Sequence, residues 1–486
     1  MQETFKQKAG VILEIVLSDR RVPSSYDSRA SLTRNELAET YKNALKAISH
    51  IYDNVEPDGF MVAAPDFTWY KLMWFRDSSF VSSSLSYAYK HMAFEKDDNE
   101  YALKAREASG RILGKLWDVI DLNGPRMKHA VDCGLESLEF KLLENHVAAR
   151  FYHDGNHANV LIDGRHVNDS AELKNPNSWL KQFDSVPLVL FATAEFIRNV
   201  GAEHISHGTM EKIGRNLDLA CSYIINTYKC PSAGPWEQYP QMLHSYTVAS
   251  AFAGLKAALE ISEATGVPVE RGRILDSLYA KDYNGIVFFL NKLFVDDGIL
   301  HKFRPEFGTE PVKTPKADAA SYLVFALFNG DGQLFSNEVV EKTVKELENN
   351  HVFYSYKSNK FHVDEAPKRY EGDKYFGGSG WLLAEAAEGF LSLKMGRAEE
   401  ATRKLKDLNM QVSSSISKFG ELRLPEQKML DEEFLNPVRE SESDAIGKLP
   451  AQDLIWSAGE YLRLASGFLE NYYSSKYTPM LRNGNK

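Results

Sequence analysis

Four short segments set an acid or a guanidinium group beside indole rings. Trp69-Tyr70-Lys71-Leu72-Met73-Trp74-Phe75-Arg76-Asp77 runs into an apolar stretch of helical spacing, and Gly234-Pro235-Trp236-Glu237-Gln238 precedes another that contains Tyr246. The run from Lys368-Arg369-Tyr370 to Trp381 precedes a third. Glu421-Leu422-Arg423-Leu424-Pro425-Glu426-Gln427 lies ahead of Trp456 and the last long helix. Singly each is weak; together, in one chain, they point to one site.

An indole beside a carboxyl strips water from it, raises its pKa and keeps the proton that a general acid must deliver, which makes Glu237 a candidate. The competing reading is a first-turn acid favoured by the helix dipole. Pro425 disfavours helix at Leu424, so Glu426 is expected on a fixed loop and not on a solvated helix face. Arg76 and Asp77 can give charge-assisted hydrogen bonds to sugar hydroxyls beside the Trp74 ring, although Asp77 could equally be a helix cap. Aromatic faces suit the apolar faces of pyranose rings, but most of the 27 Phe, 23 Tyr and 7 Trp must simply fill the core.

Other chemistries lack their residues. There is no GxxxxGK[ST] phosphate loop, no HExxH and no GxSxG, and Gly377-Gly378-Ser379-Gly380 has the wrong spacing for a dinucleotide fold. His153/His157 and His204/His207 have helical metal spacing, but Asp154-Gly155-Asn156 reads as a turn, so neither a metal nor another cofactor is expected. Acidic residues number 67 against 57 basic ones, a net charge of −10 that argues against a nucleic-acid or anionic-membrane partner. Cys133, Cys221 and Cys230 cannot all pair within one chain. The run from Ala9 to Leu17 is interrupted by Glu14 and lacks a cleavage site, and no apolar stretch has bilayer length. A soluble, cytoplasmic protein is expected.

The elements that must position these loops are helices. After a polar loop over residues 22–31, Leu37, Tyr41, Leu45, Ile48 and Ile51 recur at helical intervals behind Thr33 or Asn35 as cap. Similar patterns cover about 78–93, 98–121, 134–148, 184–200, 208–228, 243–265, 271–293, 317–328, 337–350, 378–395, 397–410 and 450–473. Strand alternation is confined to short pieces such as Val352 to Tyr356 and Lys360 to Val363. The longer non-helical stretches, 150–183 and 411–449, are where a site on a helical scaffold is built. No short repeat marks a solenoid, and about a dozen helices allow six hairpins closed into a toroid.

The four segments resemble, in order, the signature loops of the glucoamylase family of glycoside hydrolases (family 15), which includes glucodextranases, isomaltose-releasing enzymes and some trehalases. The matching pieces are Trp74-Phe75-Arg76-Asp77, Trp236-Glu237, Arg369 to Trp381 and Pro425-Glu426-Gln427. Lesser matches are Ala149-Arg150-Phe151 through Gly155, Gln182-Phe183-Asp184, Ala317-Asp318-Ala319 and Trp456-Ser457-Ala458-Gly459-Glu460. The likeness spans residues 35 to 472.

The resemblance implies an all-α (α/α)6 toroid over residues 33–480, preceded by an N-terminal arm over 1–32, with the site at one mouth. It implies Glu237 as general acid and Glu426 as general base, ~6.5–9.5 Å apart, with inversion at the anomeric carbon. Trp74, Arg76, Asp77, Trp236, Gln238, Arg369, Tyr370, Trp381, Gln427 and Trp456 would bind substrate, and glucose would leave non-reducing ends of α-glucans or short (iso)malto-oligosaccharides. Two departures bear on this. Gln238 stands where many members carry a second Glu, and Glu371-Gly372 where they often have Pro-Glu. The β-sandwich that often precedes the toroid in prokaryotic members has no room here, which favours short oligosaccharides over granular starch. An α,α-trehalase and a noncatalytic glucan-binding protein are the alternatives.

Overall fold

The computed structural model describes residues 32–483 apart from 67–69, 93–99, 134–141, 143, 145, 156–159, 163–164, 168–173, 175–177, 304–315, 331, 356–359, 371–372, 374–377 and 429–450. The expected arm at 1–32 therefore lies, Leu32 excepted, outside the described residues. Those residues form α1 (Arg34–Asp53), α2 (Phe75–Met92), α3 (Glu100–Leu122), α4 (Gly124–Cys133), α5 (Ser185–Asn199), α6 (His207–Thr227) and α7 (Ser245–Thr265). They continue as α8 (Arg271–Tyr279), α9 (Ile286–Leu293), α10 (Ala320–Leu323, extended by a π-helical turn Val324–Phe328), α11 (Asn337–Leu347), α12 (Leu382–Lys394), α13 (Ala398–Phe419) and α14 (Ile455–Asn483). Four two-stranded antiparallel ladders decorate the loops; β1 (Met73–Trp74) pairs with β2 (Arg150–Phe151) beside the site.

Six helices pack in succession, α2 on α5, α5 on α7, α7 on α10, α10 on α12, α12 on α14 and α14 back on α2, which closes a ring. A second layer surrounds it: α3, α6, α8 with α9, α11 and α13 each lie between two ring helices in sequence, and α1 precedes the first of them. The all-α toroid expected from the resemblance is the observed fold. Amphipathicity separates the layers. In α11 only Val339, Val340, Thr343, Val344 and Leu347 are buried and its Glu and Lys residues face water, whereas α7 buries every residue from Ser245 to Leu255. Inner helices touch neighbours on several sides, so small residues are needed. Gly254 in α7 is one: a Cβ there would sit 2.6 Å from the Pro187 Cα of α5. In α2, Ser82 and Ser109 of α3 exchange hydrogen bonds of 2.8 to 3.2 Å across the two layers.

Element ends follow local chemistry. Thr33 caps α1 in a capping box, its Oγ1 accepting the Glu36 N–H while Glu36 accepts the Thr33 N–H. Three expectations change. Most of the helix expected over 134–148 lies outside the described residues, and α4 adds a helix over 124–133 that was not expected. The segment 271–293 breaks into two helices because Asp282 turns the chain, accepting the Asn284 N–H and receiving that of Gly285. Helix α13 continues to Phe419 and stops at Gly420 in the left-handed region, nine residues beyond the end expected. The strand pieces read at Val352 to Tyr356 and Lys360 to Val363 are present as Val352–Ser355 paired antiparallel with Lys360–Val363, Tyr356 lying outside the described residues.

Candidate active site

One cleft, with about 560 Å³ of empty space, opens where the inner helices begin. It is lined by Ala63, Tyr70, Trp74, Arg76, Asp77, Pro235, Trp236, Glu237, Arg369, Trp381, Leu383, Glu426, Leu454 and Trp456. The four loops of separate sequence thus meet in one place. Arg76 and Asp77 open α2, Trp381 caps α12, Trp456 opens α14, and Glu237 sits in the turn ahead of α7 and not in its first helical turn. Asp77 lies inside α2 and not at its cap.

The acid loop is held from three sides. The Arg76 guanidinium donates to Asp184 Oδ2 at 2.7 Å, to the Pro235 carbonyl at 2.8 Å and to the Gln182 side-chain oxygen. Most of its hydrogen-bonding capacity therefore braces the protein. The Trp236 indole donates to Asp318 Oδ2 at 3.1 Å, and the Lys302 ammonium approaches the same oxygen at 3.4 Å. Glu237 and Tyr239 both take positive φ, 59° and 53°, which for residues with a Cβ costs about 1–3 kcal/mol each and is tolerated where surroundings dictate it.

Glu426, lining the same cleft, is buried on a non-helical segment, as expected from Pro425. The Tyr70 hydroxyl donates to its Oε1 at 3.1 Å, and its own N–H donates to the Ala451 carbonyl at 2.9 Å. Arg369 is clamped by Asp373 through two bonds of 2.8 and 2.7 Å, with its guanidinium 4.9 Å from the Trp381 ring centroid. Trp381 stacks obliquely on Trp236 at 5.3 Å, and Trp456 lies flat on Phe80 at 5.0 Å with its N–H on Glu460. The Arg150 guanidinium lies 5.3 Å from the Trp74 ring centroid and 4.8 Å from that of Trp179.

Three acids share this water-poor space. Burial pushes Asp77 up to about 7, against the pull of Arg76, and Glu426 up to about 8, against Arg369 and the Tyr70 hydroxyl. Burial also raises Glu237, restrained by Arg76, Arg150, the Gln182 amide and Arg369. Each carboxylate raises its neighbours, so their protons are coupled.

Three expected binding residues stand behind the lining. Gln238 donates to the Tyr370 hydroxyl at 2.9 Å, and Lys302 covers the Tyr370 ring at 4.2 Å. Gln427 is fully buried, bridged to Trp381 and bonded to the Ser379 carbonyl at 3.4 Å, because its side chain alternates with that of Glu426 along an extended segment. These three shape the wall. Reasoning from sequence gave no role to Tyr70, although it lies in the first aromatic segment, nor to Gln182, Asp184 and Asp318, which the lesser matches contained. Lys302 had no signal. His153 lies outside the cleft, 3.2 Å from both Glu56 and Asp58, and His157 is outside the described residues.

No family model matches the chain. Isomaltose glucohydrolase of Kribbella flavida is 24% identical over 446 residues, covering 89% of this chain and 94% of that protein. A wild-type glycosidase structure superposes with a TM-score of 0.65 at 22% identity, over 90% of this chain and 99% of that one, and a glycosidase variant in complex with glucose superposes equally. The fold is that of a glycosidase. The similarity to these proteins extends along nearly the whole chain.

Proposed function

We propose that this glycoside hydrolase is an exo-acting α-glucosidase that releases glucose from the non-reducing ends of short α-glucosides with inversion. The observation that carries the reading is the cleft in which Glu237 and Glu426 share one wall system with Arg76, Asp77, Arg369 and four indoles. Glu237 protonates the glycosidic oxygen as the bond from the anomeric carbon breaks. Glu426 takes a proton from the water attacking the opposite face. With the indole N–H groups of Trp236 and Trp456 spent on Asp318 and Glu460, those residues offer apolar faces to the sugar. The similar isomaltose glucohydrolase favours α-1,6-linked disaccharides among the substrates.

The division of labour has one opposing feature. In the empty cleft burial raises Glu426 to about 8, so on burial alone it would keep a proton that a base must lack. A substrate that needs no acid separates the roles. With α-glucosyl fluoride, Glu237→Gln should retain a substantial fraction of turnover while losing isomaltose hydrolysis, and Glu426→Gln should lose both. The reverse pattern exchanges the roles. Proton NMR on maltose, isomaltose, panose and trehalose then reads linkage and anomer together: release of the non-reducing unit as α-glucose contradicts inversion, inversion on trehalose gives one α- and one β-glucose, and glucose from trehalose alone makes the enzyme a trehalase.

A further inference from the structure

Glu426 is followed two residues later by a cation that reaches away from the cleft. The Lys428 ammonium donates to Asp364 Oδ1 at 2.9 Å and to both oxygens of Asp407 at 3.1 Å, with its side chain 15% exposed. Among the described residues it is the only ammonium paired with either acid. The neighbouring Lys404 is spent on the Glu365 carbonyl and on the carboxylates of Glu365 and Glu388. Glu385 of α12 is fully buried beside the cluster, and burial pushes its carboxyl well up.

The partners matter because of what they belong to. Asp407 is on α13, an outer helix, and Asp364 opens the segment that ends at Arg369; the same Asp364 oxygen accepts the Ala366 N–H at 3.0 Å. On the backbone side, Lys428 donates to the Gly380 carbonyl at 2.7 Å and Trp381 to Pro367 at 2.8 Å. Close approach is obligatory here, since a Cβ on Gly380 would sit 2.3 Å from the Ala366 carbonyl. Glu426, Arg369 and Trp381 are thus joined through one ionic knot outside the cleft.

We propose that Lys428 is a positioning residue for Glu426: shared between Asp364 and Asp407, it locks the Glu426 segment to the Arg369 segment and sets the reach of Glu426 to the attacking water. This rests on the reading of Glu426 as base. Misplacement of a base by about 1 Å costs up to about 100-fold in rate. Lys428→Met is therefore expected to lower kcat on α-glucosyl fluoride about 10- to 100-fold with KM within about twofold, and Lys428→Arg to restore most of it. Azide supplies the decisive readout. It attacks the anomeric carbon without losing a proton, as the carbon–fluorine bond breaks and fluoride leaves, so it bypasses a misplaced base and should rescue Lys428→Met as glucosyl azide. A smaller fraction of folded enzyme would not be rescued.

Wild-type kcat in Lys428→Met, or a loss that azide leaves untouched, overturns the proposal. Should that variant fail to fold, Asp407→Asn, which keeps the ammonium, carries the same test with a smaller loss and the same two outcomes. If Glu426→Gln retains full turnover, the reading of the base fails; if Glu426→Gln is inactive and Lys428→Met is normal, only the positioning role fails.

Discussion

At the scale of single residues, the cleft is a problem of proton placement. Asp77, Glu237 and Glu426 are drawn together without enough water to ionise freely, and two devices favour the ionised form of Glu426: the Arg369 charge and the Tyr70 hydroxyl. Only deprotonated Glu426 can accept a proton from water. Removing a group that stabilises the anion raises its pKa, so the acidic limb of the rate profile must move to higher pH. Tyr70→Phe is expected to shift that limb of kcat/KM upward by about one unit, the size of one hydrogen bond to a charged group. A profile of kcat/KM against pH on isomaltose checks this, and a downward shift would show that the limb belongs to another group. The Trp-acid pairs were legible in the sequence because the chemistry sits in adjacent residues. What joins them was not: Arg76 with Asp184, Trp236 with Asp318 and Tyr70 with Glu426 are distant in the chain, and spacing carries no record of such pairings.

At the scale of elements, the Arg76, Trp381 and Trp456 segments are delivered by the starts of inner helices and the Glu426 segment by the end of outer helix α13, and the helices are kept close by small residues. Gly254 shows the tolerance. Its replacement by Ala places a methyl group against the Pro187 backbone, and the helices α5 and α7 must part. Gly254→Ala should destabilise the protein by about 1–3 kcal/mol as overpacking, read as a lower midpoint in urea unfolding, with kcat of the folded enzyme within a few-fold of normal. An unchanged midpoint would mean that the interface has slack. Periodicity found most of these helices because a buried stripe repeats every three or four residues. It missed α4, whose buried set is only Gly124, Met127 and Ala130, and it ran α8 and α9 together, since one apolar face continues on both sides of the turn at Asp282.

At the scale of the whole molecule, what defines the architecture is that α14 packs on both α2 and α12 and so completes the inner ring. Its first residues also bring Leu454 and Trp456 to the cleft, and the Ile455 N–H bonds the Ala63 carbonyl at 2.9 Å. A chain ending at Leu454 should lose cooperative unfolding in circular dichroism, and not merely activity; a sharp melt from that truncation would show that five inner helices suffice. Among the described residues no helix is long and apolar enough to cross a membrane. The closure has a temporal side. Since the first inner helix finds its second neighbour only in α14, separated by more than three hundred residues of chain, the growing polypeptide on a ribosome holds an unsealed arc until α14 emerges. The cleft can therefore assemble only once α14 has been made, and the interval before then is when chaperones have most to shield.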